Sequence, residues 1–123
     1  MILVVEDEAE VREELVEMLE LRSFAVCEAA CVASALDKVR EAATPLILLT
    51  DLRLRETSGL SLIRQIDSDP DLRSKVVRSI LMTGHIDLTE PTQRDITGQE
   101  IPLLFKPVDF KVLLPLLAEE FQA

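Results

Sequence analysis

The sequence has few residues of the kinds that build thiolate metal sites, nucleic-acid interfaces or membrane spans. Two cysteines and one histidine are too few for a structural zinc site. The formal net charge is −10, with no basic run to offset it, and such a chain repels nucleic-acid backbones and anionic membranes. There is no secretory signal pattern and no apolar run long enough to cross a bilayer. We therefore expect a cytoplasmic protein without direct nucleic-acid or membrane binding.

Internal repeats, low-complexity tracts and Gly/Ser linkers are also missing. The 123 residues are 48% apolar and 29% charged, a mixture typical of one water-soluble globular domain. We expect residues 1–123 to form a single domain. The cysteines, Cys27 and Cys31, are expected to be small buried apolar side chains and reduced thiols.

Five short apolar runs alternate with longer stretches of helical spacing. The runs cover residues 2–5, 24–27, 46–49, 76–82 and 103–105. Nearly continuous apolar runs of this length are typical of parallel strands that are buried on both faces. The pattern predicts an α/β fold: a doubly wound, flavodoxin-like sheet of five parallel strands in the order 2-1-3-4-5, with helices on both faces.

The stretches between the runs predict helices. Apolar residues recur at helical spacing over residues 11–19 and 32–39, and Ser58 is a suitable cap for a third helix. Residues 69–71 indicate a turn, and residues 87–100 a short or irregular helix. A last helix should follow Asp109, and Pro115 predicts that it is kinked or starts later than its apolar pattern suggests.

Polar residues follow four of the five runs. Glu6 and Asp7 follow the first, Asp51 the third, Thr83 the fourth and Lys106 the fifth. Each alone also suits a turn or a helix terminus. The carboxyl ends of parallel strands share one edge of the sheet, however, so all five side chains are expected to meet in one pocket.

Three carboxylates in one pocket repel each other by about 1 to 4 kcal/mol per pair at about 4 Å, so they need cations. A hard divalent ion, Mg²⁺ or alternatively Mn²⁺, suits oxygen ligands, and Lys106 adds one positive charge. Such a pocket suits phosphoryl transfer. Asp51 is the better nucleophile because Glu6 and Asp7 form an adjacent, cation-holding pair.

Four segments, ILVVEDE, LLTDLRL, ILMTGH and LLFKP, resemble the receiver domain of bacterial two-component response regulators, in the same order and over essentially the whole chain. The resemblance implies that a histidine kinase, a phosphotransfer protein or a small donor such as acetyl phosphate supplies a phosphoryl group. It also implies a downstream protein partner that reads the phosphorylated state.

The resemblance also assigns roles to individual residues. It implies that Asp51 is the phosphoacceptor, Thr83 the switch hydroxyl and Lys106 the phosphate-binding cation. The implied Mg²⁺ ligands are Glu6, Asp7, Asp51 and the backbone carbonyl of Arg53.

The sequence departs from the family pattern near the site. Leu103 stands where receivers usually carry an aromatic residue, and Arg55 replaces the usual proline after the acceptor, whereas Gly59 keeps the usual glycine. Arg53 and His85 each lie two residues after a site residue. We hypothesise that their side chains set the lifetime of the acyl phosphate.

Two other functions are consistent with parts of the pattern. The first is a receiver-like interaction module that uses neither metal nor phosphate, which the departures at Leu103 and in residues 87–100 favour. The second is a Mg²⁺-dependent phosphatase with an Asp nucleophile, but Arg53 occupies the place of its general acid. The last helix has more apolar surface than one core-facing stripe requires, which predicts an interface on strand five and that helix, either with a second copy of the chain, as a homodimer, or with another protein partner.

Overall fold

The computed structural model describes residues 1–55, 57–84, 94, 96–98 and 101–121. Five parallel strands form one sheet in the order β2-β1-β3-β4-β5. They are β1 Ile2–Val5, β2 Val26–Ala29, β3 Leu46–Asp51, β4 Val76–Thr83 and β5 Leu103–Phe105. The predicted flavodoxin-like sheet and its strand order are therefore confirmed.

Helices cover both faces of this sheet. The described helices are α1 Ala9–Glu20, α2 Val32–Glu41, α3 Gly59–Asp67, α4 Pro70–Arg73 and α5 Phe110–Phe121. Side chains alternate between the faces along β1, so Leu3 packs with α2 and α3 while Ile2 packs with α1 and α5. Every residue of β1 and β3 is buried, as their apolar composition predicts.

The edge strand β2 lies two residues later than predicted. Ile2 pairs with Val26 and Val5 with Ala29, and the amide of Ile2 donates a hydrogen bond to the carbonyl of Ala25. β2 is exposed along part of its length and contains the charged Glu28. Its residues therefore do not coincide with an apolar run. The apolar pattern alone therefore placed it wrongly.

Residues 69–71, predicted as a turn, begin the short helix α4. The carboxylate of Asp69 accepts a hydrogen bond from the amide of Asp71 at 3.0 Å, and Pro70 occupies the first helical position, where no amide donor is needed. A helix of four residues is too short to produce a helical period in the sequence.

The prediction that both cysteines are buried is wrong. Cys31 is exposed and caps α2, with its Sγ accepting a hydrogen bond from the amide of Ser34 at 3.5 Å. Cys27 is only partly buried, and both are free thiols. Ser58 caps α3 as predicted, accepting from the amide of Ser61 at 3.1 Å.

The last helix, α5, begins directly after Asp109 as predicted. The carboxylate of Asp109 accepts a hydrogen bond from the amide of Lys111 at 2.8 Å. The helix continues through Pro115, so the alternative of a later start is wrong. Leu113 and Leu117 are fully buried, whereas Val112 is 50% exposed.

Most of residues 87–100 lies outside the described residues. Residues 96–98 are helical, and Ile96 is buried in the core. Among the helices that are described, none combines the length and the apolar composition needed to span a membrane.

Candidate functional site

The end of β1 brings Glu6 and Asp7 to the edge of the sheet. The amide of Glu6 continues the ladder by donating to the carbonyl of Ala29 at 3.1 Å. The side chain of Glu6 is buried, with 1% exposure, and its Oε2 accepts a hydrogen bond from the amide of Asp7 at 3.1 Å. Asp7 is partly exposed, so the pair extends from the interior toward solvent.

The last residue of β3 is Asp51, which is also buried. Its Oδ1 accepts a hydrogen bond from the amide of Arg53 at 3.2 Å. The next amide, that of Leu52, donates to the carbonyl of Met82 on β4 at 2.7 Å. The Arg53 amide therefore orients the carboxylate, and the Leu52 amide fixes the backbone that follows it against β4.

Lys106, which follows β5, reaches across the sheet edge to two of these acids. Its Nζ lies 3.0 Å from Glu6 Oε1 and 2.5 Å from Asp51 Oδ2. Its amide donates to the carbonyl of Thr83 at 2.8 Å, which places the start of the side chain beside β4. The peptide bond between Lys106 and Pro107 is cis.

Glu6, Asp7 and Asp51 each offer a carboxylate oxygen within 4.8 Å of the other two. With Lys106 ionised, three carboxylates face one ammonium group. Burial, followed by the hydrogen bond with Asp51, raises the pKa of Glu6 to about 8. Burial lowers the pKa of Lys106, but its hydrogen bonds with Asp51 and Glu6 outweigh that effect, so the net shift is upward and Lys106 keeps its proton.

The donor set fits a divalent cation. All three side chains present hard oxygen atoms, and their mutual distances allow one ion to contact one oxygen from each. The raised pKa of Glu6 shows that burial and carboxylate repulsion together exceed what Lys106 alone compensates. An added cation of charge two would allow all three groups to ionise.

Comparison with known proteins identifies the family. Residues 2–118 match the family described as "Response regulator receiver domain". The chain belongs to this receiver family. No curated protein sequence matches it significantly.

Solved receiver structures share the fold over nearly the whole chain. A response regulator receiver protein from Pseudomonas putida is 29% identical, with 96% of this chain and 94% of that chain covered and a TM-score of 0.84. A CheY-like receiver domain from Methylobacillus flagellatus is 27% identical, with coverage of 96% and 95% and a TM-score of 0.77. The receiver domain of the hybrid histidine kinase CckA is 26% identical, with coverage of 98% of each chain and a TM-score of 0.69.

The structure does not bring every predicted site residue of this receiver into the carboxylate cluster. Thr83 ends β4 and is fully buried, but its hydroxyl donates to the carbonyl of Gly84 at 2.9 Å. Arg53 contacts Asp51 through its amide and forms an isolated bridge with Ser58. His85 lies outside the described residues. Leu103, in place of an aromatic residue, is partly buried against the core.

Two residues shape the site through contacts that were not predicted from the sequence, although Gly59 had been noted as the usual glycine of the family pattern. A Cβ atom on Gly59 would overlap the carbonyl oxygen of Asp51 and lie 2.9 Å from the hydroxyl of Thr50, so the start of α3 packs closely on β3 only because residue 59 is glycine. Arg12 on α1 donates to the carbonyl of Glu6 at 2.9 Å. An arginine on an amphipathic helix is normally assigned to the solvent-facing side, and no signal in this single sequence distinguishes it.

Proposed function

We propose that this receiver accepts a phosphoryl group on Asp51 in a Mg²⁺-dependent reaction and thereby changes a partner-binding surface. One observation carries the proposal: the ammonium group of Lys106 contacts both Glu6 and Asp51 within a cluster of three carboxylates. Residues from three separate strand ends thus converge on one buried nucleophile. Cytoplasmic location is part of the same proposal.

In the transfer, an oxygen of the Asp51 carboxylate attacks the phosphorus atom of a phosphohistidine on a histidine kinase or phosphotransfer protein. A P–O bond forms while the P–N bond breaks, and its electron pair stays on the ring nitrogen. When the other ring nitrogen carries a proton, the leaving group is neutral imidazole. The products are an acyl phosphate on Asp51 and free histidine.

The residues around Asp51 have separate tasks in this reaction. The amide of Arg53 orients the carboxylate by donating to Oδ1, which leaves Oδ2 beside Lys106. Lys106 is then placed to pair with a phosphoryl oxygen as negative charge arrives. Burial of Asp51 at 5% exposure limits access of water to the acyl phosphate.

Glu6, Asp7, Asp51 and the backbone carbonyl of Arg53 are the proposed ligands of Mg²⁺, with Mn²⁺ as an alternative. When bound there, such an ion would supply positive charge to balance the phosphoryl oxygens. The support comes from the hard oxygen donors and from the unbalanced charge of the three carboxylates.

Thr83 is the proposed switch residue. Its hydroxyl is buried and hydrogen-bonded to the neighbouring carbonyl of Gly84. We propose that this hydroxyl turns to donate to a phosphoryl oxygen after transfer. The positions of β5 and α5 would then shift, because the amide of Lys106, between these two elements, is hydrogen-bonded to the carbonyl of Thr83. A downstream protein, or a second copy of this chain contacting the exposed Phe105 and Val112, would read the change.

Incubation with acetyl phosphate and Mg²⁺, followed by intact mass measurement, tests the proposal. The wild type should gain one phosphoryl group, and both Asp51→Asn and an EDTA-treated sample should gain none. Arg40→Lys, which changes an exposed residue paired with Asp37 away from the site, is the control and should react like the wild type. A wild type that never gains mass would favour the non-phosphorylated interaction module instead.

A further inference from the structure

Arg12 connects three elements beside the carboxylate cluster. It lies in the first half of α1, where its Nη1 donates to the carbonyl of Glu6 at 2.9 Å and its Nε donates to Glu28 Oε1 on β2 at 3.1 Å. The Arg12 side chain is only 15% exposed, compared with 43% for Glu28. The guanidinium group of Arg12 is therefore less exposed to solvent than the Glu28 carboxylate that it contacts.

The carbonyl that Arg12 contacts belongs to the peptide group that joins Glu6 to Asp7. The N–H of the same peptide donates to Glu6 Oε2 at 3.1 Å. Both polar ends of this planar group are thus occupied, so it cannot rotate without breaking a hydrogen bond. Its orientation determines the directions in which both acidic side chains leave the backbone.

We propose that Arg12 is a positioning residue for the cation site, acting by fixing the Glu6–Asp7 peptide through its carbonyl. This inference rests on the proposed function, because it assumes that Glu6 and Asp7 ligate a divalent ion. A guanidinium group has donors in a rigid planar fork, so it holds the Glu6 carbonyl and the Glu28 carboxylate at a fixed separation. A lysine ammonium has no such fork.

A purely electrostatic role for Arg12 makes a different prediction. A positive charge near three carboxylates assists their ionisation whether it belongs to arginine or to lysine. A positioning role needs two hydrogen bonds in one fixed geometry. Arg12→Lys therefore separates the two roles, since it keeps the charge and loses the fork.

The test is titration calorimetry of Mg²⁺ into the wild type, Arg12→Lys and Glu28→Gln, together with urea unfolding of each. Partners of metal ligands typically change metal affinity by 10- to 100-fold, so Arg12→Lys should weaken Mg²⁺ binding about tenfold. Glu28→Gln leaves Arg12 in place but weakens its outer anchor, and we expect a loss of about threefold by the same reasoning. Arg40→Lys, which alters a similar exposed ion pair, should bind Mg²⁺ like the wild type.

Each outcome decides the inference. Wild-type affinity in Arg12→Lys would overturn it, even with Mg²⁺ binding and phosphorylation of the wild type intact. If Arg12→Lys does not fold, Glu28→Gln decides: a loss of Mg²⁺ affinity without a shift in its unfolding midpoint supports positioning, and an unchanged affinity overturns it. A wild type that binds no Mg²⁺ contradicts the proposed function itself.

Discussion

The central strands β1 and β3 differ in composition between their interiors and their carboxyl ends, although both parts are buried. Along β1 and β3 the side chains up to Val5 and Leu49 are apolar and buried, which stabilises the sheet from both faces. Glu6 follows Val5 directly and Asp51 follows Leu49 across Thr50, and both acidic side chains are buried as well. Burial of the apolar side chains stabilises the fold. Burial of the acidic groups costs stability, but it places them together at one edge of the sheet.

This contrast predicts a large loss of stability from a change within a strand. Leu48 on β3 is completely buried, so Leu48→Ala should lower the free energy of unfolding by about 2 to 5 kcal/mol through lost burial and a residual cavity. Leu21 is 76% exposed, and Leu21→Ala should change it by less than about 0.5 kcal/mol. Urea unfolding of both variants checks this, and equal effects would contradict the assignment of the core.

The next prediction concerns the contact between α3 and β3. Gly59→Ala places a methyl group against the Asp51 carbonyl, so it should destabilise the protein by about 1 to 3 kcal/mol and weaken Mg²⁺ binding by moving Asp51. Gly98 has open space where its Cβ would lie, and its segment is helical. Gly98→Ala is therefore the matched control, expected to be neutral or slightly stabilising. A neutral Gly59→Ala would mean that α3 does not need this close approach.

The apolar pattern, combined with the rules for doubly wound sheets, was sufficient to predict the sheet and its strand order, and it predicted that Glu6, Asp7, Asp51 and Lys106 lie together. It worked because β1 and β3 are buried on both faces and β4 is buried over residues 80–83, so their apolar runs end close to the polar residues of the site. It failed at β2, an edge strand in which Glu28 interrupts the apolar run, and at α4, which is shorter than two helical turns. The contacts of Arg12 with Glu28 and of Gly59 with β3 join separate segments, which one sequence does not encode as a local pattern. The cap that Cys31 forms is local, but cysteine is not among the residues that usually cap helices.

The buried carboxyl group of Glu6 predicts two opposite pH trends. As the pH rises, the stability of the Mg²⁺-free protein should fall, whereas its affinity for Mg²⁺ should increase. The pKa of Glu6 is about 8 in the folded protein, above its ordinary value of 4.5, so the folded state holds a proton that the unfolded state has lost between these two values. Without Mg²⁺, stability should therefore fall as the pH rises from about 5 to 8.

Mg²⁺ binding must displace that proton, so its affinity should rise by up to about tenfold per pH unit below pH 8. Calorimetry at pH 6, 7 and 8 in buffers of different ionisation enthalpy measures both the affinity and the proton release. Glu6→Gln should remove the stability trend in Mg²⁺-free buffer. A wild-type affinity independent of pH would contradict the burial of an uncompensated carboxyl group.

The smallest expected effect concerns residues around the site rather than within it. Arg53→Ala and His85→Ala should each change the dephosphorylation rate by a few-fold, on the order of 1 kcal/mol or less in the barrier, because neither side chain is assigned a direct chemical role. Loss of radiolabelled phosphate over time measures the rate, with Arg40→Lys as the control. Unchanged rates in both variants would remove the hypothesis that these positions set the lifetime.

The central claim is that the strand ends converge on one divalent cation. Titration calorimetry of Mg²⁺ into the wild type, Glu6→Gln and Asp51→Asn tests it most directly. We predict saturable binding of one ion per chain in the wild type, weakened in both variants. Wild-type protein that takes up no Mg²⁺, or binds it equally well without the Glu6 and Asp51 carboxylates, would contradict the claim.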